Sequence, residues 1–264
     1  MKRSPRTYVW LIVTGLVAGL LSGLFGVGGG ILIVPALVFL LKFDQRLAAG
    51  TSLGAIVPTS IVGVISYAAS GSVEWMAALY LALGAIVGAQ IGSWLLHKIP
   101  KLVLQWAFIA FLVVVIVQLF LVVPARDAVI DYTVWSSIGL VVLGLVTGIL
   151  SGLLGIGGGV VVVPLLIVLF GASDLAAKGT SLLMMIPTGI SGSIGNLRRG
   201  NIDLVAAGVV GLAACTTTAL GALIAAVIPP SLGTILFAVF LIAVGIQLTV
   251  RAIRSSRRPS TDAG

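Results

Sequence analysis

Six stretches of this chain contain no Asp, Glu, Lys or Arg: Thr7–Leu41, Leu47–Val73, Trp75–Leu96, Leu102–Ala125, Tyr132–Ser173 and Leu204–Val250. Each exceeds the roughly 20 apolar residues with which a helix crosses a bilayer core of about 30 Å. A soluble domain carries about 25% charged residues; here 8% are charged and 59% hydrophobic. The fold class expected is an all-α polytopic membrane protein. The net charge of +8 does not point to nucleic acid, because the basic residues sit at the ends of apolar runs, where the positive-inside effect puts them. Met1–Arg6 followed by an apolar run is shaped like a signal peptide. That run is long, Gly-rich and repeated later, so it reads as a retained first helix. The single Cys215 lies within an apolar run and supports neither a disulfide framework nor a Cys-based metal site.

The chain is also duplicated. Gly19–Pro35, GLLSGLFGVGGGILIVP, returns as GILSGLLGIGGGVVVVP over Gly148–Pro164, at an offset of 129 residues. The same offset carries Gly50-Thr51-Ser52 onto Gly179-Thr180-Ser181 and Pro58-Thr59 onto Pro187-Thr188. It also carries Gly63 onto Gly192, Gly71 onto Gly200, Gly92 onto Gly221, Pro100 onto Pro229 and Gln118 onto Gln247. The domain organisation expected is a tail (1–6), a first membrane repeat (7–123), a linker (124–134), a second membrane repeat (135–250) and a basic tail (251–264).

Thr7–Leu41 as one helix would be about 52 Å long at 1.5 Å per residue, too long for one span. Its centre is Gly26-Val-Gly-Gly-Gly30, and glycine weakens a helix by about 1 kcal/mol per residue relative to Ala. The run therefore breaks there, as does Tyr132–Ser173 at Gly155-Ile-Gly-Gly-Gly159. If each break is a kink, each half has four spans and the basic residues divide 10 inside to 5 outside. If each break is a turn, each half has five segments and only Arg126 and Lys178 fall outside, 13 to 2. The charge rule favours the turn. An odd number of segments inserts the second half upside down, so the expectation is an inverted repeat of 8–10 membrane segments with Gly-rich breaks. The short segment Ile31–Leu41 is the one that could instead be re-entrant. Gly84, Gly88 and Gly92 form a smooth face for close helix packing.

No carboxylate is expected within the membrane: Asp44, Glu74, Asp127, Asp131, Asp174, Asp203 and Asp262 all read as loop or tail residues. That leaves no acidic cage for a metal cation, and any proton would have to travel on the substrate itself. The polar groups near the interior are neutral donors. Gly28, Gly29 and Gly30, with Gly157, Gly158 and Gly159, offer backbone N–H groups at the starts of Ile31–Leu41 and Val160–Phe170, where the helix dipole favours anions. Thr51, Ser52, Thr180 and Ser181 add hydroxyls, and all ten residues are candidate substrate-binding groups. Helix capping and tight turns are the bland alternatives. Pro58 and Pro187 are candidate hinges, since a proline frees a backbone carbonyl. Lys178, Arg198 and Arg199 are candidate charges at the pathway mouth, or ordinary boundary charges. Gln90 and Asn196 read as packing residues. The Gly189-Ile-Ser-Gly192 pattern could suggest an intramembrane serine protease, but His97, the only histidine, lies on another helix. No strand precedes the glycine cluster and no Gly-Lys-Ser/Thr follows it, so it is not a nucleotide loop.

The repeated S-G-L-x-G-x-G-G-G-x-x-x-x-P, with the A-x-G-T-S segments, resembles the TauE/SafE family, often called sulfite exporters. The resemblance covers about residues 8–250 and rests on Ser22–Gly30, Pro35, Thr51 and Ser52 with Ser151–Gly159, Pro164, Thr180 and Ser181. It implies a bacterial inner-membrane permease for sulfite, sulfoacetate or a related sulfur-containing or organic anion. The function expected is thus a secondary anion transporter, not an enzyme, working by alternating access with both termini cytoplasmic. An anion channel, an importer and a membrane subunit of a partner-driven system are the alternatives. The partners expected are a small anionic substrate and the bilayer; no cofactor, metal or nucleic acid is expected, and homo-oligomerisation is left open.

Overall fold

The computed structural model describes residues 4–100, 130 and 132–256, together with 102, 103, 106, 107, 109, 110, 113, 114, 116 and 117. Among the described residues nine helices are defined: α1 Pro5–Phe25, α2 Gly30–Leu40, α3 Gln45–Ala69, α4 Trp75–Lys98, α5 Val134–Leu154, α6 Gly159–Phe170, α7 Asp174–Leu197, α8 Leu204–Val227 and α9 Pro230–Ser256. Five of them, α1, α3, α4, α5 and α8, are long and apolar enough to cross a membrane. Gln118, Arg126, Asp127, Asp131, Asp262 and the side chain of Gln247 lie outside the described residues, as does most of the linker.

Each Gly-rich run is a turn, not a kink. α1 ends at Gly26 with φ +68°, its N–H donating to Ser22 O (2.8 Å); α5 ends in the same way at Gly155, φ +74°, donating to Ser151 O (2.8 Å). The left-handed conformation is cheap only for glycine, and here it ends a helix by closing a bond onto its last turn. Gly28, Gly29, Gly157 and Gly158 also have positive φ, so the chain stays unwound until α2 and α6 begin. Past the turn α2 runs back along α1: Gly29 lies against Ala18, and Ile33, Val34, Leu37 and Val38 share a core cluster with Leu11 and Ala18.

The halves interlock rather than sit side by side. α1 packs on α8, and the corresponding pair, α4 on α5, packs in the same way. The glycine face of α4 meets a second glycine face: a Cβ at Gly88 would stand 2.9 Å from Ile149 N, and one at Gly148 would stand 2.7 Å from Ala85 Cα. Gly15, Gly19 and Gly23 meet the backbone of α8 at Val210, Ala214 and Thr218 in the equivalent arrangement. Without a hydrophobic driving force between helices in lipid, such backbone approach supplies the packing energy. Leucine at Gly88 would therefore drive into main chain that cannot move aside. Overpacking of this kind costs roughly 1–3 kcal/mol or more, and Gly88→Leu is expected to abolish the monodisperse peak in size-exclusion chromatography.

The directions of the helices follow from these contacts. Residue numbers rise together along α1 and α8 and along α4 and α5, so both pairs are parallel. α3 and α7, which are copies of each other, are antiparallel: Leu53 lies at Gly192, Val57 at Gly189, Ser60 at Met185, Gly63 at Leu182 and Tyr67 at Gly179.

Several boundaries differ from expectation. α7 starts at Asp174, ahead of the expected Gly179, because Ser173 caps it by accepting from Ala176 N (3.3 Å). Asp174 is consequently a helical residue, 6% exposed, and not a loop residue. α3 and α7 continue through Pro58 and Pro187. α9 runs on through Arg251 to Ser256, where a tail was expected.

Candidate functional site

The two glycine turns lie against each other where the halves meet. A Cβ at Gly30 would stand 2.7 Å from Gly155 O, and one at Gly159 would stand 2.6 Å from Gly26 O. Gly28 and Gly157 both face Ile56 and Met185, which are themselves equivalent positions of α3 and α7. Residues Phe25–Ile31 and Leu153–Pro164 are all buried, so the site is closed to solvent in this conformation.

Cross-half hydrogen bonds hold the turns. Ser52 Oγ donates to Gly155 O (2.7 Å) and Ser181 Oγ donates to Gly26 O (3.0 Å), each serine reaching the turn of the opposite half. Thr51 and Thr180, adjacent in sequence, serve another element. Thr51 Oγ1 accepts from Asp203 N (3.0 Å) and Thr180 Oγ1 from Glu74 N (2.9 Å), at the amino ends of α8 and α4. All four hydroxyls are fully buried. The serines therefore lie at the glycine turns, and the threonines pin neighbouring helices. None of the four caps its own helix, since Asp44 and Ser173 occupy the N-caps of α3 and α7.

The turns themselves carry unused donors. Among the described residues the N–H groups of Gly28, Gly29 and Gly30 make no hydrogen bond, and neither do those of Gly157, Gly158 and Gly159. A buried N–H without a partner is rare in a folded protein. Ser22 Oγ and Ser151 Oγ, on the last turns of α1 and α5, share this condition, being buried with no partner. They occupy equivalent positions, and Ser151 Cβ lies 3.7 Å from the place of a Cβ on Gly158, the N-cap of α6. The sequence reading carried Ser22 and Ser151 only as part of the glycine motif. The available signal was a serine repeated at the same distance before both glycine clusters. Unfilled N–H groups, helix amino ends and idle hydroxyls are groups that can donate hydrogen bonds to negative charge.

The expected mouth charges separate. Lys178 is 6% exposed and donates through Nζ to Asp174 Oδ2 (2.8 Å). Arg198 is exposed. Arg199 is half-buried and donates to Gly195 O (2.7 Å) and Ser93 Oγ (3.2 Å). Gln90 links α4 to α7, donating to Ser191 O (2.6 Å), while Asn196 Nδ2 donates to Gly192 O (2.9 Å). Ser191 Oγ donates to Ile86 O (2.8 Å), and His97 is exposed near the far end of α4. Thr59 and Thr188, which follow the two prolines, bond the carbonyls of Ala55 and Met184 one turn back (2.9 and 2.7 Å).

Two interlocked copies of one helical unit, apolar outside and polar where their turns meet, define a multi-pass α-helical membrane protein. The chain belongs to the sulfite exporter TauE/SafE family, whose model matches residues 1–119 and 140–263. It is 31% identical over 267 residues to a probable membrane transporter protein of Haemophilus influenzae, covering 93% of this chain and 99% of that one. It is 30% identical over 221 residues to the probable membrane transporter protein YunE of Bacillus subtilis, 75% of this chain and 81% of that one. A third relative, a probable membrane transporter protein of Methanocaldococcus jannaschii, is 31% identical over 165 residues, 59% and 60% of the two chains. No solved structure matches. The protein is thus a membrane transporter of a family described as sulfite exporters.

Proposed function

We propose that this transporter is a secondary carrier for a small anion, sulfite or a related sulfur-containing or organic anion such as sulfoacetate. It works in the bacterial inner membrane by alternating access of two inverted halves, with both termini cytoplasmic. One observation carries the reading: the buried, unpartnered N–H groups of Gly28–Gly30 and Gly157–Gly159 beside the idle hydroxyls of Ser22 and Ser151. Dipoles hold an anion without the desolvation cost of a full charge on every side, and they let it go again. The antiparallel course of α3 and α7 supports inversion, because copies that cross one membrane in opposite senses are inverted repeats.

Flux of sulfite, thiosulfate, sulfate, sulfoacetate and a carboxylate into proteoliposomes tests the reading. Wild type is expected to move one group of these anions selectively. A hydrogen bond to a charged group is worth about 1.5–3 kcal/mol, so Ser22→Ala/Ser151→Ala is expected to lower flux by roughly a hundredfold or more with folding intact. Thr51→Ala/Thr180→Ala behaves differently: it removes the acceptors that hold the half-buried N–H groups of Asp203 and Glu74 at the amino ends of α8 and α4, at roughly 1 kcal/mol each, and the expected loss is of folded protein. Wild-type vesicles that move none of these anions would overturn the carrier assignment.

A further inference from the structure

The symmetry of the two halves is broken at a buried ion pair. Where the second half has Asp174 and Lys178, the first half has Gln45 and Ala49. The backbone contacts are otherwise equivalent: Ala49 packs against Gly155, and the stem of Lys178 packs against Gly26, with a Cβ at Gly26 falling 2.6 Å from Lys178 Cα. Gly26 O accepts from Ser181, and Gly159, the first residue of α6, lies against both. Lys178 thus stands one layer from the amino end of α6, while the amino end of α2 has only a methyl group in its place.

The architecture does not require this ion pair. The first half builds the same turn with neutral residues. A buried ion pair is poor stabilisation, since desolvation offsets most of its attraction. Asp174 is also the single hydrogen-bond partner of Lys178 among the described residues, which leaves the ammonium with further donors. Resting on the anion-carrier reading above, we propose that Lys178 is the counter-charge of the transported anion. Asp174 takes the place of that anion when the carrier is empty. One ammonium then alternates between a fixed carboxylate and a mobile oxyanion, and the bound anion, between the two turns, sits nearer the α6 turn than the α2 turn. Release follows when Asp174 recovers the ammonium, so the empty carrier never exposes an unpaired buried charge.

Three variants test this with sulfite as the probe, by flux in proteoliposomes and by binding to purified protein. Asp174→Gln/Lys178→Ala gives the second half the residues that the first half already carries, so it is expected to fold. It is expected to lose sulfite binding and flux by at least about tenfold, the scale of one charge-assisted contact. Asp174→Asn removes the competitor; sulfite binds about tenfold more tightly, exchange of sulfite for sulfite persists, and net release slows. Lys178→Arg keeps the charge and retains binding. A neutral double variant that transports like wild type makes the pair structural and overturns the proposal, as does an Asp174→Asn protein that binds sulfite more weakly. If wild type moves sulfoacetate but not sulfite, the same measurements are made with sulfoacetate. If wild type moves no anion, the carrier reading fails and this inference fails with it.

Discussion

Alanine at both Gly28 and Gly157 is expected to abolish transport, while alanine at both Gly71 and Gly200 leaves it nearly intact. The four glycines share one backbone conformation, with φ of +70°, +81°, +69° and +69°. An L side chain there costs about 1–2 kcal/mol per residue, and both double variants carry that term. They differ in what the methyl group meets. At Gly71 and Gly200 nothing lies within 4 Å. At Gly28 the new Cβ would stand 2.5 Å from Met185 Sδ and 3.0 Å from Ile56 Cγ2, and at Gly157 it would stand 3.0 Å from Ile56 Cδ1. Met185 can swing away, because its thioether is flexible, so the variant still folds. The methyl groups then occupy the space beside the unpartnered N–H groups that an anion would use. Flux measured on both proteins, each monodisperse, separates the two effects. Equal loss in both would assign the defect to backbone strain and remove Gly28 and Gly157 from the site.

Much of this architecture was legible because duplication and charge placement are written along the chain. The repeat at an offset of 129 residues fixed which elements correspond, and the placement of Lys and Arg chose a turn at Gly26–Gly30 over a kink. Both choices agree with the positive φ values there. Contacts between halves were a different matter. Nothing in the string Gly50-Thr51-Ser52 says that the serine reaches Gly155 while the threonine receives Asp203 N–H; neighbouring side chains diverge on a helix, and their partners lie 103 and 152 residues away. Asp174 departs from the loop position expected of it for a local reason. The expected segment begins at Gly179, whereas Ser173-Asp174 is a helix-opening pair: serine caps, and aspartate suits the positive end of the dipole. With α7 opening there, Asp174 lies one turn before Lys178 and forms with it the single buried carboxylate–ammonium pair described in the structure. The unpartnered state of Ser22 and Ser151 could not be read at all, since it depends on what every neighbouring element fails to supply.

Cysteines at Ser70 and Arg198 are expected to react with a membrane-impermeant maleimide from opposite sides. Ser70 lies in the turn between α3 and α4, Arg198 in the corresponding turn between α7 and α8, and both are exposed. Cys215, half-buried in α8, is first replaced by alanine so that it contributes no signal. The antiparallel packing of α3 on α7 puts the two turns at opposite ends of the molecule. The pair Arg198-Arg199 then selects the cytoplasmic side for the second turn. In intact cells Ser70→Cys should therefore label fully and Arg198→Cys not at all, with the pattern reversed in inside-out vesicles. A parallel repeat would label both from one side. The outcome bears on mechanism as well as topology. With inverted halves, exchanging the conformations of the two repeats turns an outward-open form into an inward-open one without a new fold. The near-twofold glycine crossing at Gly28 and Gly157 is then the point that both forms share, and the Lys178–Asp174 pair, present on one side only, makes them unequal.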